Sequence, residues 1–330
     1  DWDDLSLVFE RLEFYQAFIA VVYRIQNWYG TPFFQQTVAQ LKAGQEAWGC
    51  RTEAELQARL QTFEELYREV KTTGRMPHQP HDPLSVNIGR HGDLLLNKGE
   101  HWLAIAKLLG LSRIPILIAG RHEQWVQFKH ELMAYTLQQP NDALYAPLLH
   151  PDLAWIPAHR GHERFELIQQ ALLSAGGTML DIGCNLGYFC HRFENLGFSC
   201  TGVEFDPTNF YFLEKLKRAA NKQFQVVNGS IFDYVEQEPG RYYDVVLALA
   251  IFHHFIKAES TLAQLKNLLA NLKIGELYFQ PPQRWDPQMR GAYWNPSEEE
   301  FVAFILEYSN LKQATYLGRQ AGGRSFYRLT

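Results

Sequence analysis

The spacing of apolar positions divides the 330-residue chain into two rhythms. Up to about residue 75 the period is helical. Leu5 to Asn27 is dense in apolar and aromatic side chains with few breakers, and Gly30-Thr31-Pro32 ends that run. A second helix is predicted over 32–43. A third covers 52–73, with Leu56, Leu60, Phe63, Leu66, Tyr67 and Val70 on one face. Thr52 and Glu55 have the spacing of a capping box at its start, and Gly74 stops it. Residues 75–83 are a polar, proline-rich stretch that reads as a linker. The interval 84–132 changes character: strands are predicted at 84–88, 94–96 and 114–119, with a helix over 99–109. A helix over 124–138, an irregular stretch over 140–157 and a helix over 163–174 follow, and Gly176-Gly177 ends the last of these.

From Thr178 onward strands alternate with helices. Strands are predicted at 178–182, 199–204, 224–227, 243–250, 275–280, 313–318 and 324–329. Leu262, Leu265, Leu268, Leu269 and Leu272 mark one helix face, and Asp206-Pro207 opens another helix. Such alternation implies an α/β fold, a mostly parallel sheet covered on both faces. The last two strands, joined at Gly322-Gly323, suggest an antiparallel hairpin at its edge. The domain scheme is a helical segment over 1–75, a small α+β unit over 76–132, a connecting segment over 133–164 and an α/β domain over 165–330.

Composition narrows the function classes. The net charge is −5, so the basic footprint of a nucleic-acid binder is missing; DNA is not expected as a partner, and RNA is the less favoured one. No apolar run approaches the roughly 20 residues that span a bilayer. The first residues lack the form of a secretory signal. Cys50, Cys184, Cys190 and Cys200 show neither metal spacing nor a disulfide framework, so free thiols in a cytoplasmic setting are expected. His78 and His81 have no carboxylate or cysteine at matching ligand spacing, and no metal is expected. The composition sets no oligomeric state.

Candidate chemistry gathers at strand ends. After the strand at 178–182 the chain reads Asp181-Ile182-Gly183-Cys184-Asn185-Leu186-Gly187-Tyr188. Small residues let the backbone approach a ligand, and the helix beginning near Gly187 offers free N–H groups. A dinucleotide turn reads Gly-x-Gly-x-x-Gly, which glycines at 183 and 187 do not match. The next strand ends in Glu204-Phe205, 23 positions after Asp181. A carboxylate there can take hydrogen bonds from vicinal ribose hydroxyls. The stretch from Asn228 to Asp233 follows the third strand, and the fourth opens into Ala250-Ile251-Phe252-His253-His254.

These four motifs, in this order, resemble the class I S-adenosylmethionine-dependent methyltransferases over about 165–330. The resemblance implies a Rossmann-like sheet and S-adenosylmethionine as cofactor. It places Asp181, Gly183, Cys184, Asn185, Gly187 and Tyr188 around the methionyl part, with Asn185 where a middle glycine is often found. Glu204 and Phe205 fall at the ribose end. In that family an acid often meets the adenine amine after the third strand; here Ser230 stands there, so Ser230 or backbone near Ile231 takes the contact, and Asp233 is a helix cap or a ligand. Ala250 and the histidines fall beside the transferable methyl group. The implied activity is O-methylation of a small-molecule or glycan hydroxyl with a histidine as general base, His254 first and His253 second. Two rivals are an RNA or protein methyltransferase that docks through its N-terminal region, and a non-catalytic cofactor- or nucleotide-binding regulatory protein.

A second resemblance lies upstream. Leu94 to Leu111, followed by Arg113-Ile114-Pro115-Ile116, looks like the central box of ParB-like and sulfiredoxin-like domains over about 84–126. Lys98 stands where one version has an acid, and Trp102 where an arginine would clamp phosphate, so a structural or docking remnant is expected. His150, His159, His162, Arg160 and Arg164 are expected to be surface residues of the connecting segment.

Overall fold

The computed structural model describes residue 3 and residues 8–77, 83–159, 161–320 and 323–330. His78, His81, Arg160 and Gly322 lie outside the described residues. The chain forms two compact units, Asp1–Val126 and Gln127–Thr330.

In the first unit helices α1 (Glu13–Val22), α2 (Pro32–Lys42) and α3 (Glu53–Thr73) precede strands β1 (Ser85–Ile88) and β2 (Leu94–Lys98), helix α4 (Glu100–Leu108) and strand β3 (Leu117–Arg121). The long helix expected over 5–27 is shorter: α1 is flanked by single turns at Phe9–Arg11 and Trp28–Gly30. Phe14, Phe18, Trp28, Phe33, Leu56 and Phe63 form the core of this unit. Thr52 caps α3 as expected, but Glu55 accepts from the Arg51 N–H rather than from Thr52, so only half of the capping box forms. Strand β2 pairs antiparallel and β3 parallel with β1. Strand β3 starts three residues later than its sequence suggests, beyond Pro115, which has no N–H to give a ladder.

Helix α5 (Glu123–Thr136) leads into the second unit, where α6 (His162–Ala171) precedes the alternating series. The series runs β4 (Gly177–Ile182), α7 (Tyr188–Asn195), β5 (Phe198–Glu204), α8 (Pro207–Ala219), β6 (Gln225–Asn228), α9 (Ile231–Gln237) and β7 (Tyr242–Leu249). It ends with α10 (Glu259–Asn271), β8 (Lys273–Gln280), α11 (Glu298–Tyr308), β9 (Ala314–Arg319) and β10 (Ser325–Leu329). The sheet order is β6-β5-β4-β7-β8-β10-β9. The first five strands of that order are parallel, and β10 runs antiparallel to both β8 and β9. This is a Rossmann-like sheet with the expected antiparallel edge hairpin.

The central strands are apolar on both faces, because helices cover both. Leu180, Ile182, Val246 and Leu277 pack to one side with Leu265, Leu268 and Phe301. Met179, Val245, Leu247 and Tyr278 pack to the other with Phe193 and Phe326. Successive β4 residues thus alternate between two cores, as strand geometry requires. Strand β4 leads on to β5 on one side and borders β7 on the other, so the order reverses at this point. In open sheets of this kind ligands bind outside the carboxyl ends of the strands at the reversal. The 183–187 loop and Ala250–His254 stand at those ends. Among the described residues no helix is long and apolar enough to cross a membrane.

Candidate cofactor and active site

The loop after β4 is shaped by its backbone. The Gly183 and Cys184 N–H groups both donate to the Val203 carbonyl, at 2.9 and 3.1 Å, which folds the loop back over β5. Gly183, Asn185 and Gly187 have φ of 71°, 52° and 79°. Asparagine tolerates this left-handed region better than most side chains, which is why it can stand in for a glycine. A Cβ on Gly202 would sit 2.7 Å from Cys184 Sγ and 3.0 Å from Cys190 Sγ, so β5 needs a glycine where the loop and α7 press on it.

Glu204 ends β5 as a buried carboxylate held by backbone. Its Oε2 accepts from the Asn185 N–H at 2.7 Å and its Oε1 from the Asp206 N–H at 2.9 Å, with Asn209 Nδ2 at 3.4 Å. A carboxylate offers about four acceptor sites, so capacity remains for a hydroxyl. Asp206 caps α8 through the Thr208 and Asn209 N–H groups, and Pro207 holds the first helical position, both as expected. Phe205, 76% exposed, turns an aromatic ring outward beside Glu204.

The candidate cofactor residues separate into two groups. Gly183, Asn185, Phe205, Ser230 and Ala250 are exposed or half-buried, whereas Asp181, Cys184, Gly187, Tyr188 and Ile231 are buried supports. Burial, reinforced by nearby Glu204, pushes the Asp181 carboxyl up to about 7, against a weak contact from Cys190. Ser230 caps α9 by accepting from the Phe232 N–H at 3.1 Å; Asp233 lies in the first turn and is not the cap. All four cysteines are free and buried. Among the described residues no cluster of His, Cys, Asp and Glu is fit to hold a metal.

Strand β7 ends one residue early because Ala250 turns left-handed, with φ 54°. Such a strained residue at a strand end re-aims the chain, and the single turn Phe252–His254 follows. A cavity of about 570 Å³ opens here. Its walls include Asn185, Ala250, His253 and His254 together with Pro140, Asn141, Tyr145, His159, Gln288 and Arg324. His253 is buried, 4% exposed, whereas His254 is exposed. His253 Nε2 lies 2.9 Å from Gln288 Oε1, which fixes the proton on Nε2 and leaves Nδ1 as an acceptor. Nδ1 is buried and has no hydrogen-bond partner among the described residues. Burial, then the charges of His254 and Arg324, hold the His253 pKa down at about 4, although the Gln288 bond opposes them. Burial also lowers that of His254, helped by Lys257.

Gln288 is itself positioned. Asp286 accepts from the Gln288 N–H at 3.1 Å and forms an ion pair with Arg324. Burial alone would raise the Asp286 pKa, but the Gln288 N–H and Arg324 outweigh it and keep the carboxylate charged.

The segment expected to be a surface connection builds much of this site. Leu144 and Ala158 form a parallel bridge, and His159 Nε2 donates to the Pro140 carbonyl at 2.6 Å. Arg164 is buried, not exposed as expected: its Nε donates to Gln320 Oε1 at 2.9 Å, its Nη1 to Tyr145 Oη at 2.5 Å and its Nη2 to Gln280 Oε1 at 2.5 Å. His150 is buried too, its Nδ1 accepting from the Asp152 N–H at 3.2 Å. The expectation failed for Arg164 and His150 because their polar atoms are satisfied inside, which sequence spacing does not reveal, whereas His159 and His162 are exposed as expected. Sequence reasoning also missed Gln288, Gln320 and Arg324. Gln280 was findable, since it closes a parallel strand at the carboxyl edge.

Comparison with known proteins bears on this site. Residues 180–271 match the model of the family described as methyltransferase domain. The chain carries a methyltransferase domain. The cofactor of that domain is S-adenosylmethionine, and the residues above fit it: Glu204 retains acceptor capacity, Phe205 is an open ring, and the loop is curled by left-handed residues. Ubiquinone biosynthesis O-methyltransferase of Rhodopseudomonas palustris strain BisB18 is 29% identical over 90 residues, which cover 27% of this chain and 34% of that protein. The protein of the same name from strain BisB5 is 29% identical over 92 residues, covering 28% and 35%. The chain thus spans about a third of the length of these curated relatives. Among solved structures, the bifunctional kinase-methyltransferase WbdD aligns at a TM-score of 0.49 and 17% identity, covering 60% of this chain and 46% of that one. A SAM-dependent methyltransferase from Archaeoglobus fulgidus aligns at 0.38 and 18%, covering 52% and 94%.

Proposed function

We propose that this protein O-methylates a hydroxyl of a small molecule or glycan, with His253 as the proton acceptor. The carrying observation is His253 Nδ1, a buried acceptor without a partner on a cavity wall shared with Asn185 and Ala250. The matched relatives are O-methyltransferases by name, which agrees with an oxygen acceptor. When bound, S-adenosylmethionine supplies an electrophilic methyl group. Glu204 would hold the ribose, Phe205 the adenine side, and the 183–187 loop the methionyl part. A hydroxyl is a weak nucleophile until its proton can leave, and His253 Nδ1, an acceptor without a partner among the described residues, would receive that proton. Gln288, anchored through Asp286, keeps the imidazole in the accepting tautomer. The sequence ranks His254 first; its exposure favours His253 instead.

In the first unit, Trp102 lies buried where a phosphate-clamping arginine would stand. That supports reading the ParB-like segment as a structural or docking remnant.

The test is incubation of the full chain with methyl-labelled cofactor and a panel of phenols, catechols and sugars, followed by mass spectrometry. Label in an ether-linked methyl is expected. Label only on nitrogen, carbon or sulfur would overturn the reading.

A further inference from the structure

A second cavity, of about 370 Å³, shares His159 and Arg324 with the first. Arg164, Gln280 and Gln320 also line it. Arginine can only donate hydrogen bonds, so any amide atom facing it must be oxygen. Gln280 Oε1 accepts from Arg164 Nη2 at 2.5 Å. Gln320 Oε1 accepts from Arg164 Nε at 2.9 Å and from Gln280 Nε2 at 3.2 Å. Both amide oxygens are therefore committed to the network, and the amide nitrogen of Gln320 turns away from it. That Nε2 is buried and has no partner among the described residues. An unsatisfied buried donor is costly, and on a residue that lines a cavity it points to a ligand that brings the acceptor once the side chain shifts to meet it. Arg324 adds a guanidinium that is nine-tenths buried, oriented by Asp286. Arg164 and Gln280 beneath are more deeply buried still. Glu163 lies on the exposed rim, and Asp286 is taken up by Arg324.

N–H donors on the buried Arg164, Gln280 and Arg324 and the half-buried Gln320, braced by one another and by Asp286, suit a ligand rich in charged acceptor oxygens. We propose that this cavity receives an oxyanion, a carboxylate or phosphate, carried by the methyl acceptor. The inference rests on the O-methylation reading above and names its substrate class: hydroxyl compounds that also bear an anionic group. With the anion beside Arg324 and Gln320, the shared wall leads the rest of the molecule toward His253.

The experiment is calorimetric titration of the full chain, with and without saturating S-adenosylhomocysteine. Two pairs of probes are used: 4-hydroxyphenylacetate against 4-methylphenol, and glycerol 3-phosphate against glycerol. The charged member of one pair is expected to bind at least about tenfold more tightly, and which pair does so separates carboxylate from phosphate. Gln320→Glu keeps an oxygen toward Arg164 and Gln280 but replaces the unpartnered donor with a carboxylate oxygen. It should weaken the charged probe about 10- to 100-fold while S-adenosylhomocysteine binds as before, which also shows that the variant is folded. Equal or absent binding of both members in both pairs overturns the proposal, as does an unaffected Gln320→Glu. Failure of S-adenosylhomocysteine to bind the unmodified chain would instead sink the methyl-transfer reading, and the probe comparison made without it still stands.

Discussion

His253 and His254 are adjacent but chemically unequal. His253 has its Nε2 proton held by Gln288 and its Nδ1 buried without a partner among the described residues, on a residue that lines a cavity, whereas His254 is exposed. His253→Ala should therefore lower kcat by about 10²- to 10⁴-fold, the usual range for a lost general base. His254→Ala should cost less than about tenfold by the same scale, and both variants should bind S-adenosylhomocysteine normally. The pH profile follows from the sign of the shift. A lowered pKa keeps the imidazole neutral, and so able to accept a proton, down to more acidic solution. With His253 at about 4, kcat should stay level as pH falls from 8 to 6 and decline only as pH approaches that value. A larger loss in His254→Ala than in His253→Ala would return the role to His254.

The turn from β4 into α7 stands or falls on Gly187. Its φ is 79°, and a Cβ there would lie 2.3 Å from Leu213 Cδ1 on α8. Gly197, just past α7, has a similar φ of 88° but open space around it. Urea unfolding can separate the two costs. Gly197→Ala should lose about 1 kcal/mol from backbone strain alone. Gly187→Ala should lose about 2–4 kcal/mol, because overpacking of α8 adds to the strain, and should weaken cofactor binding. Equal losses would mean that α8 yields freely. The same elements show what a sequence reveals. Buried parallel strands are short continuous apolar runs, so β4 through β8 were legible to within two residues at each end. Asp206-Pro207 and Gly74 were legible because caps depend on local chemistry. The Ser297–Glu300 capping box is as local, and its spacing would have revealed it. Ser230, a candidate ligand, also caps α9, and its hydroxyl can still donate while its oxygen accepts from the Phe232 N–H. The left-handed turn at Ala250 was not legible, because nothing in an alanine announces a positive φ.

For the whole molecule, the parts of the site at strand ends were readable and the parts assembled from distant segments were not. Tyr145, Arg164, Gln288, Gln320 and Arg324 meet only through the fold, and each looks like a surface polar residue along the chain. Net charge works the other way, since it needs no geometry. Residues 1–126 hold 15 acidic against 13 basic side chains, and residues 127–330 hold 21 against 18, so neither unit carries a positive excess. Non-specific binding to nucleic acid comes from neutralising phosphates, and a protein with several such contacts binds with Kd of about 10⁻⁴–10⁻⁶ M at physiological salt. The arginines near the cavities are buried and do not form the exposed track that a nucleic-acid backbone follows. In a gel-shift assay with mixed-sequence RNA, no retardation is expected at about 10 µM protein and physiological salt. Retardation that weakens steeply as salt is raised would show a cationic track that the composition conceals. It would move the acceptor from small hydroxyl compounds to RNA and give the N-terminal unit a docking role.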